Sequence, residues 1–213
     1  MEAARVAALR GHTVSLYEKS DRLGGQLNLA MIPPHKQEIE GLINYLKVQI
    51  KKLGVKTHLN QEVTNYLIGE EKPDELIIAT GATPRILSIP GAELSHVFTS
   101  WDVLTGKAKV GKKIVIAGGG MVGCETAELL AAKGHDVTIA SQSDAIGKDI
   151  EQTIRRYLLK RLEDYEVKMF TNAMTQEIKM DHVLLATYGR SWSIECDHVV
   201  FAKGAVPDRG LVN

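Results

Sequence analysis

The sequence predicts an α/β protein made of two related three-layer units, each a parallel sheet between helices with a small antiparallel sheet attached. Three observations carry this. First, the chain repeats itself at a shift of 123 positions, which sets Met1-Glu2-Ala3-Ala4 against Cys124-Glu125-Thr126-Ala127 and Gly11-His12 against Gly134-His135. The same shift pairs Val14 with Val137, Leu16 with Ile139, Asp74 with Asp197, Ala79 with Ala202, Gly81 with Gly204 and Pro84 with Pro207. Second, stretches with apolar residues at helical spacing alternate with short apolar runs, the pattern of a parallel sheet covered on both faces. Third, a glycine-rich turn, Gly118 to Gly123, falls where one such run meets the next helical stretch.

In the first copy, Glu2 to Arg10 reads as a helix ended by Gly11, and Thr13 to Tyr17 as a strand. His35 to Leu53 is a long amphipathic helix, with Ile39, Leu42, Ile43, Leu46 and Ile50 at helical spacing and Gly54 as its stop. Val55 to Leu59 and Glu62 to Ile68 read as strands, and Glu75 to Ala79 as a buried strand running into Thr80-Gly81. Arg85 to Gly111 is rich in turn signals, with a short capped helix over Ser100 to Leu104. In the second copy, Lys113 to Ala117 is a strand, Met121 to Lys133 a helix, Asp136 to Ala140 a strand, Ile150 to Glu163 a helix and Glu166 to Phe170 a strand. Glu177 to Ala186 and Ser191 to Glu195 read as an antiparallel pair joined near Tyr188-Gly189-Arg190, and His198 to Ala202 as the last buried strand.

The 213 residues carry 26 basic and 26 acidic side chains, a formal net charge of +0. Affinity for nucleic acid and for anionic membrane surfaces rests on clustered positive charge, so neither is an expected partner. No apolar run reaches the ~18 to 20 residues of a spanning helix. Met1 to Arg10 reads as an Ala-rich helix rather than a signal peptide. The two cysteines, Cys124 and Cys196, form no CxxC pair and fit a reducing compartment, so the expected location is cytoplasmic. No residues fall at metal-ligand spacing, and no metal site is expected. His12 and His135 follow helix-ending glycines and read as structural, while His182 and His198 flank strands without a partner pattern.

Gly118-Gly119-Gly120-Met121-Val122-Gly123 matches the G-x-G-x-x-G dinucleotide fingerprint of Rossmann-like folds. Its context is the required one: a buried strand before, a helix after, and a second strand about 20 residues on. Gly118 permits the tight turn, Gly120 lets backbone approach a pyrophosphate, and Gly123 lets the helix pack close to the strand. The helix tip at Met121 and Val122 then offers free N–H groups and a partial positive charge to phosphates. A glycine turn that holds no ligand is the plain alternative. By the repeat, Met1 aligns with Cys124, so the glycine loop of the first copy would end just before Met1. The expectation is a chain cut from a longer one; a first copy that has lost its site is the alternative. Glu18 closes a strand where an acidic side chain can accept ribose hydroxyls, though a solvated strand-end carboxylate would look the same. In the following Leu23-Gly24-Gly25-Gln26-Leu27 turn, Gly24 and Gly25 would let a cofactor press on the backbone. The repeat equivalent of Glu18 is Ser141, which lacks the charge that repels a 2′-phosphate. Ser141 and Ser143 could donate to that phosphate, with Lys148, Arg155 or Arg156 in reach; this favours NADP, the alternative being NAD with looser ribose recognition.

Together with Ala79-Thr80-Gly81-x-x-Pro84, these copies resemble the FAD/NAD(P)-binding half of the two-dinucleotide-binding oxidoreductases, which include disulfide reductases and NADH oxidases. Within that superfamily, Leu23 to Leu27 and Val122-Gly123-Cys124-Glu125-Thr126-Ala127 are most similar to the C-terminal part of enoate and 2,4-dienoyl-CoA reductases. Those NADH:flavin oxidoreductases resemble old yellow enzyme at their N-terminal half, and trimethylamine dehydrogenase shares the layout. The resemblance implies a partial FAD-binding domain, residues 1–106 and 207–213, with an NAD(P)-binding domain, 107–206, inserted. It implies a cofactor-binding set of Glu18, Gly24, Gly25, Gln26, Ala79, Thr80, Gly81, Gly118, Gly120, Met121, Val122, Gly123, Ser141 and Gly204. Glu125 matches a glutamate that sits near nicotinamide and flavin in the disulfide reductases; charge stabilisation at the helix start is the alternative. Electrons would pass from NAD(P)H to FAD, then to an iron–sulfur cluster and to FMN on a barrel domain, and last to an unsaturated substrate. The cluster, the FMN and the barrel are expected in an N-terminal part outside this chain.

Departures from the family pattern matter. The redox cysteine pair of disulfide reductases and the cluster cysteines are both missing from the sequence. The Gly-Asp segment for the FAD ribityl chain is expected after Ala202 to Pro207, beyond Asn213. The chain alone is therefore expected to bind FAD weakly or not at all and to be inactive by itself. Rival readings are a non-catalytic module holding an ADP-like ligand, and a disulfide, peroxide or NADH-oxidase-type reductase. Cys124, at a helix start, is expected to have a lowered thiol pKa, though it also suits a packing role.

Overall fold

The structure, a computed structural model, describes residues 1–212. The chain forms two compact units, Met1–Ala82 with the residues from Pro207 onward, and Thr83–Val206.

The first unit begins with α1 (Glu2–Leu9), β1 (Ser15–Glu18), α2 (Leu27–Ala30), α3 (Glu38–Lys52), β2 (Lys56–Leu59) and α4 (Asn65–Glu71). β1 and β2 pair in parallel, from Ser15 opposite Lys56 to Glu18 opposite Leu59. Ala4, Ile50 and Val55 form a small core with Val14, Leu16 and Leu23 packed against it. α3 buries Ile43, Leu46 and Ile50 along one stripe, and Leu42 faces outward. This helix starts later than its apolar spacing predicts because His35 sits at φ 64, a left-handed backbone that no helix contains.

Two predicted strands of this unit are not strands. Glu62–Ile68 contains the start of α4 instead: the Thr64 hydroxyl accepts Leu67 N–H at 3.2 Å and caps a helix that Lys72 ends at φ 43. Glu75–Ala79 has no regular structure, and Leu76, Ile77 and Ile78 are 48%, 67% and 38% exposed. A strand exists only with a neighbour to bond, and this unit's parallel sheet holds β1 and β2 alone. Glu62–Ile68 therefore adds no strand to this unit.

The rest of the chain runs β3 (Ala82–Pro84), β4 (Val97–Thr99), α5 (Ser100–Leu104), β5 (Lys113–Ala117), α6 (Met121–Ala132), β6 (Asp136–Ala140) and α7 (Gln152–Asp164). It continues with β7 (Lys168–Phe170), β8 (Met174–Ile178), β9 (His182–Thr187), β10 (Arg190–Glu195), β11 (His198–Phe201) and β12 (Ala205–Pro207). The second unit's five-stranded sheet has the order β4-β11-β5-β6-β7, and β5 pairs in parallel with both β11 and β6. One face carries Ile114, Ile116, Val137 and Ile139 against Ala127 and Leu130 of α6 and Leu158 and Leu162 of α7. The other carries Val115, Ala117, Val199 and Phe201 against Ile178, Val183 and Leu185 of the antiparallel sheet β8-β9-β10. Strands buried on both faces read as unbroken apolar runs, which is why Lys113–Ala117 was recognisable. Each such side chain contributes roughly 1.5–3 kcal/mol on burial. A Glu128–Arg161 ion pair joins α6 to α7.

The predicted strand Glu177–Ala186 is divided. Lys179 N–H donates to the His182 carbonyl at 2.9 Å and closes a hairpin, so β8 and β9 are separate strands. The packing also draws the unit boundary after Ala82 rather than at residue 106, because Leu87, Ile89, Ala92, Leu94 and Val97 join the second unit's core.

Candidate functional site at the glycine loop of the second unit

β5 delivers the chain, at a fully buried Ala117, into Gly118, and α6 begins three residues later at Met121. Gly118 has φ +132, and a Cβ there would lie 2.2 Å from the Ala202 carbonyl oxygen. A Cβ at Gly123 would lie 2.0 Å from the Gly118 carbonyl oxygen, so helix and loop touch backbone to backbone. Gly120 is extended and caps α6, and a Cβ there would lie 3.0 Å from a carboxylate oxygen of Asp149. The loop is therefore a bare backbone cradle at a helix tip.

Cys124 N–H is bonded back to Gly120 O at 2.9 Å, so the amides before it lie ahead of regular helical bonding. Asp149 takes one of these: its carboxylate accepts Met121 N–H at 2.9 and 3.1 Å. Gly147 N–H donates to Gly119 O at 2.6 Å and ties the loop after β6 to the cradle. Sequence reasoning missed Asp149. Its only signal was an acid in the Gly147-Lys148-Asp149 turn, where many acids are merely solvated.

Ser141, at the end of β6, is 3% exposed; its carbonyl accepts Ala173 N–H at 2.8 Å and its hydroxyl accepts Ser143 N–H at 3.3 Å. It walls the cradle beside Gly119. Lys148 is engaged with Asp144 at 2.8 Å, and Arg155 Nε donates to the Ile146 carbonyl at 2.7 Å. Arg156 lies exposed on α7. Directly after Ser141 an open cavity of about 480 Å³ begins, lined by Gln142, Asn172, Met174, Gln176, Tyr188 and Arg190 among others. Gly204, just past β11, has φ +81 and its carbonyl accepts Arg85 N–H at 3.0 Å. Beside it, burial holds the Lys203 ammonium below its usual pKa.

Glu125 lies half-buried in the second turn of α6. Cys124 is 0% exposed, and burial pushes its thiol up to about 12, with the Asp149 and Glu125 charges adding to the shift. This corrects the expected lowering: desolvation outweighs the helix dipole at a site without solvent. Burial likewise raises Cys196, to about 11.

In the first unit, Glu18 ends β1 and accepts Ser20 N–H and Ser20 O–H at 2.9 and 2.8 Å. Gly24 has φ +125 with Asn28 pressed against its Cβ position, and Gly25 has φ +50. The Thr80 hydroxyl donates to Asp208 O at 2.8 Å, and Asp208 N–H donates to Gly81 O at 2.9 Å. Gly81, at φ +79, lies next to Gln26, whose Nε2 would be 3.3 Å from a Cβ there. The segment Ala79-Thr80-Gly81 and the Gln26 turn are thus neighbours.

Residues 1–213 match the family of pyridine nucleotide-disulphide oxidoreductases. The chain is 39% identical over 208 residues to a bilirubin reductase of Mediterraneibacter gnavus, covering 98% of this chain and 32% of that protein. It is 35% identical over 214 residues to a cinnamate reductase of Clostridium sporogenes, covering 99% of this chain and 32% of that protein. Among solved structures, 2-naphthoyl-CoA reductase with 2-naphthoyl-CoA superposes with a TM-score of 0.94 at 38% identity, over 99% of this chain and 32% of that one. The chain thus spans about a third of the length of these relatives. It belongs to the pyridine nucleotide-disulphide oxidoreductase family.

Proposed function

We propose that this chain is the electron-entry module of a larger flavoprotein reductase, passing a hydride from NAD(P)H to FAD. The observation that carries the reading is the cradle at Gly118–Gly123. A Cβ at 118 or 123 would lie 2.2 or 2.0 Å from a carbonyl oxygen, so glycine is the only residue that builds this loop, and the loop opens a helix. In this reading the second unit is the NAD(P) domain. Backbone N–H groups at Gly120, Val122 and Gly123 hold the pyrophosphate, Ser141 and Gly204 line the site, and Met121 shares its N–H with Asp149. Adenosine extends past Ser141 into the cavity at Gln142 and Asn172, where Arg190 can meet a 2′-phosphate, so NADPH is the favoured donor.

The first unit is the FAD domain, with Glu18 for the ribose and Gly24, Gly25, Gln26, Ala79, Thr80 and Gly81 along the cofactor. Hydride transfer between the two rings is chemistry the cofactors supply. The protein's part is to orient them and to exclude water, and Glu125 is proposed near the nicotinamide. Both cysteines are buried thiols, which suits a direct path to flavin rather than a cysteine relay, and a reducing, cytoplasmic setting. Relatives named cinnamate reductase and 2-naphthoyl-CoA reductase support an unsaturated acyl compound as the final acceptor. FMN and an iron–sulfur cluster outside this chain would complete the route.

The test has two arms. Calorimetric titration of the folded chain with NADPH and NADH should show saturable binding. In the full-length parent, anaerobic mixing with NADPH should bleach the FAD absorbance in a fast first phase. Absence of saturable binding to a folded sample overturns the reading.

A further inference from the structure

We propose that the β9–β10 hairpin of the second unit carries a base-stacking site, where the Tyr188 ring covers the purine of a nucleotide whose phosphates lie in the glycine cradle. The proposal rests on the cofactor reading and adds to it the residue that holds the base. Three breaks in regular backbone surround the cavity beside Ser141. Tyr188 has φ 25 and Asn172 has φ 50, both left-handed. Gln176 is the extra residue of a bulge in β8, because Thr175 stands opposite Leu185 and Glu177 opposite Leu184. All three line the cavity. Irregular backbone costs stability, and it gathers where it aims side chains at a ligand.

Tyr188 breaks the local rule most plainly. Thr187 stands opposite Arg190, which leaves Tyr188-Gly189 as a two-residue turn, and Gly189 has φ 83. A turn with positive φ at both centres favours Asn, Asp or Gly at the first of them. A bulky ring there is strained, and this one gains nothing from packing, because Tyr188 is 92% exposed. Folding does not account for the residue, and a local rule broken without a folding gain marks a functional position. An aromatic face held in water at the mouth of a cavity is what a planar base stacks on.

The cavity is continuous with the cradle. A Cβ at Gly119 would lie 2.7 Å from the Ser141 Cβ, so the end of β6 abuts the glycine loop. The next residue, Gln142, lines the cavity, and Asn172 N–H donates to Ser143 O at 2.9 Å, which ties the far wall to the same loop. One nucleotide can thus keep its diphosphate at Gly118–Gly123 and its base under Tyr188. Met174, whose Sδ accepts Gln142 Nε2 at 3.8 Å, offers the base a polarisable contact. The side-chain amides of Asn172 and Gln176 can bond its polar edge. In the cofactor reading Arg190 meets the 2′-phosphate. Tyr188 takes the base, so it acts on ADP and NADPH alike.

Calorimetric titration of the full chain with ADP and with inorganic pyrophosphate separates base from phosphates. Tyr188→Gly should weaken ADP and NADPH roughly tenfold and leave pyrophosphate unchanged. Its Tm should not fall, because glycine takes the left-handed turn without strain. Tyr188→Phe keeps the ring and should keep ADP affinity within about twofold. Unchanged ADP affinity in Tyr188→Gly overturns the proposal. So does an equal loss of pyrophosphate, which would mean that the cradle has shifted rather than that a stacking contact is gone. An equal loss of ADP in Tyr188→Phe also overturns it, because the hydroxyl would then be the contact. If the unsubstituted chain binds neither ADP nor pyrophosphate, the cradle reading itself fails. Binding of ADP that is indifferent to Tyr188 removes the stacking site alone.

Discussion

Asp149 accepts the backbone N–H of Met121 through both carboxylate oxygens, at 2.9 and 3.1 Å. That amide opens α6, so the carboxylate stands at the helix tip where a nucleotide phosphate would dock. The bond satisfies an orphan donor, and the charge opposes a second anion. The two effects separate in Asp149→Asn, which keeps an oxygen for Met121 and loses the charge. Binding of NADPH is expected to tighten by about 1 kcal/mol, near fivefold, with less gain at high salt. Calorimetric titration at two ionic strengths checks this. Weaker binding in the variant would show that the carboxylate holds the cradle in its binding shape instead.

The glycines of the cradle should fail in different ways. At Gly123 an added Cβ meets the Gly118 carbonyl oxygen at 2.0 Å, and only a shift of α6 relieves it. Gly123→Ala is expected to lose about 3 kcal/mol of stability in urea unfolding. At Gly120 an added Cβ meets the end of the Asp149 side chain at 3.0 Å, which can move. Gly120→Ala should cost less than about 1 kcal/mol in the same unfolding assay but lower NADPH affinity roughly tenfold, because the methyl takes the space a phosphate needs. Equal effects on both readouts in both variants would remove the distinction.

What was legible in the sequence was what a residue decides locally. Ile114–Ala117 and Val137–Ala140 are buried on both faces, and these runs, apolar but for Thr138, made both strands readable. Ser100–Leu104 was legible because Thr99 and Asp102 form a capping box. The glycine cradle was legible because its constraint is steric and lies within six residues. Illegible features depend on a distant partner. Glu75–Ala79 has the apolar content of a buried strand but finds no neighbour to bond. Asp149 reaches Met121 from 28 positions away, and nothing local distinguishes it from a solvated acid. Glu62–Ile68 misled because Val63, Thr64, Tyr66 and Ile68 are residue types that favour strands, while the hydroxyl at 64 starts a helix.

The thiols make a pH prediction. Burial raises Cys124 from 9.0 to about 12 and Cys196 from 9.0 to about 11. Both therefore hold their protons in the folded chain at pH 8 and should resist iodoacetamide until the chain unfolds. In the unfolded chain the same thiols ionise near pH 9. Below that value the native advantage is intact. As pH rises from 9 through about 11, the unfolded state releases protons the folded state keeps, and stability falls. The slope is expected to approach about 1.4 kcal/mol per pH unit for each thiol. Cys124→Ala, with urea unfolding from pH 8 to 10.5, should flatten the fall. An unaltered slope would assign the alkaline loss to other groups.

Donor choice should reside at the cavity beside β6. Ser141 is buried and serves as a wall, so the side chains that can read the ribose are Gln142 and, from the β9–β10 hairpin, Arg190. A 2′-phosphate distinguishes NADPH from NADH by charge, and charge at these two positions should set the ratio of their dissociation constants. Gln142→Glu adds a carboxylate of the same shape at the cavity rim. It is expected to weaken NADPH by about 1 kcal/mol and leave NADH nearly unchanged. Arg190→Ala removes a cation at the rim and should weaken NADPH by a similar amount, again sparing NADH. Raised salt should shrink both differences, because the rim is open to solvent. The NADPH-to-NADH ratio, measured by competition in all three proteins, is the deciding quantity. If neither substitution moves it, the 2′-phosphate is read elsewhere, and the exposed Arg156 becomes the next position to replace.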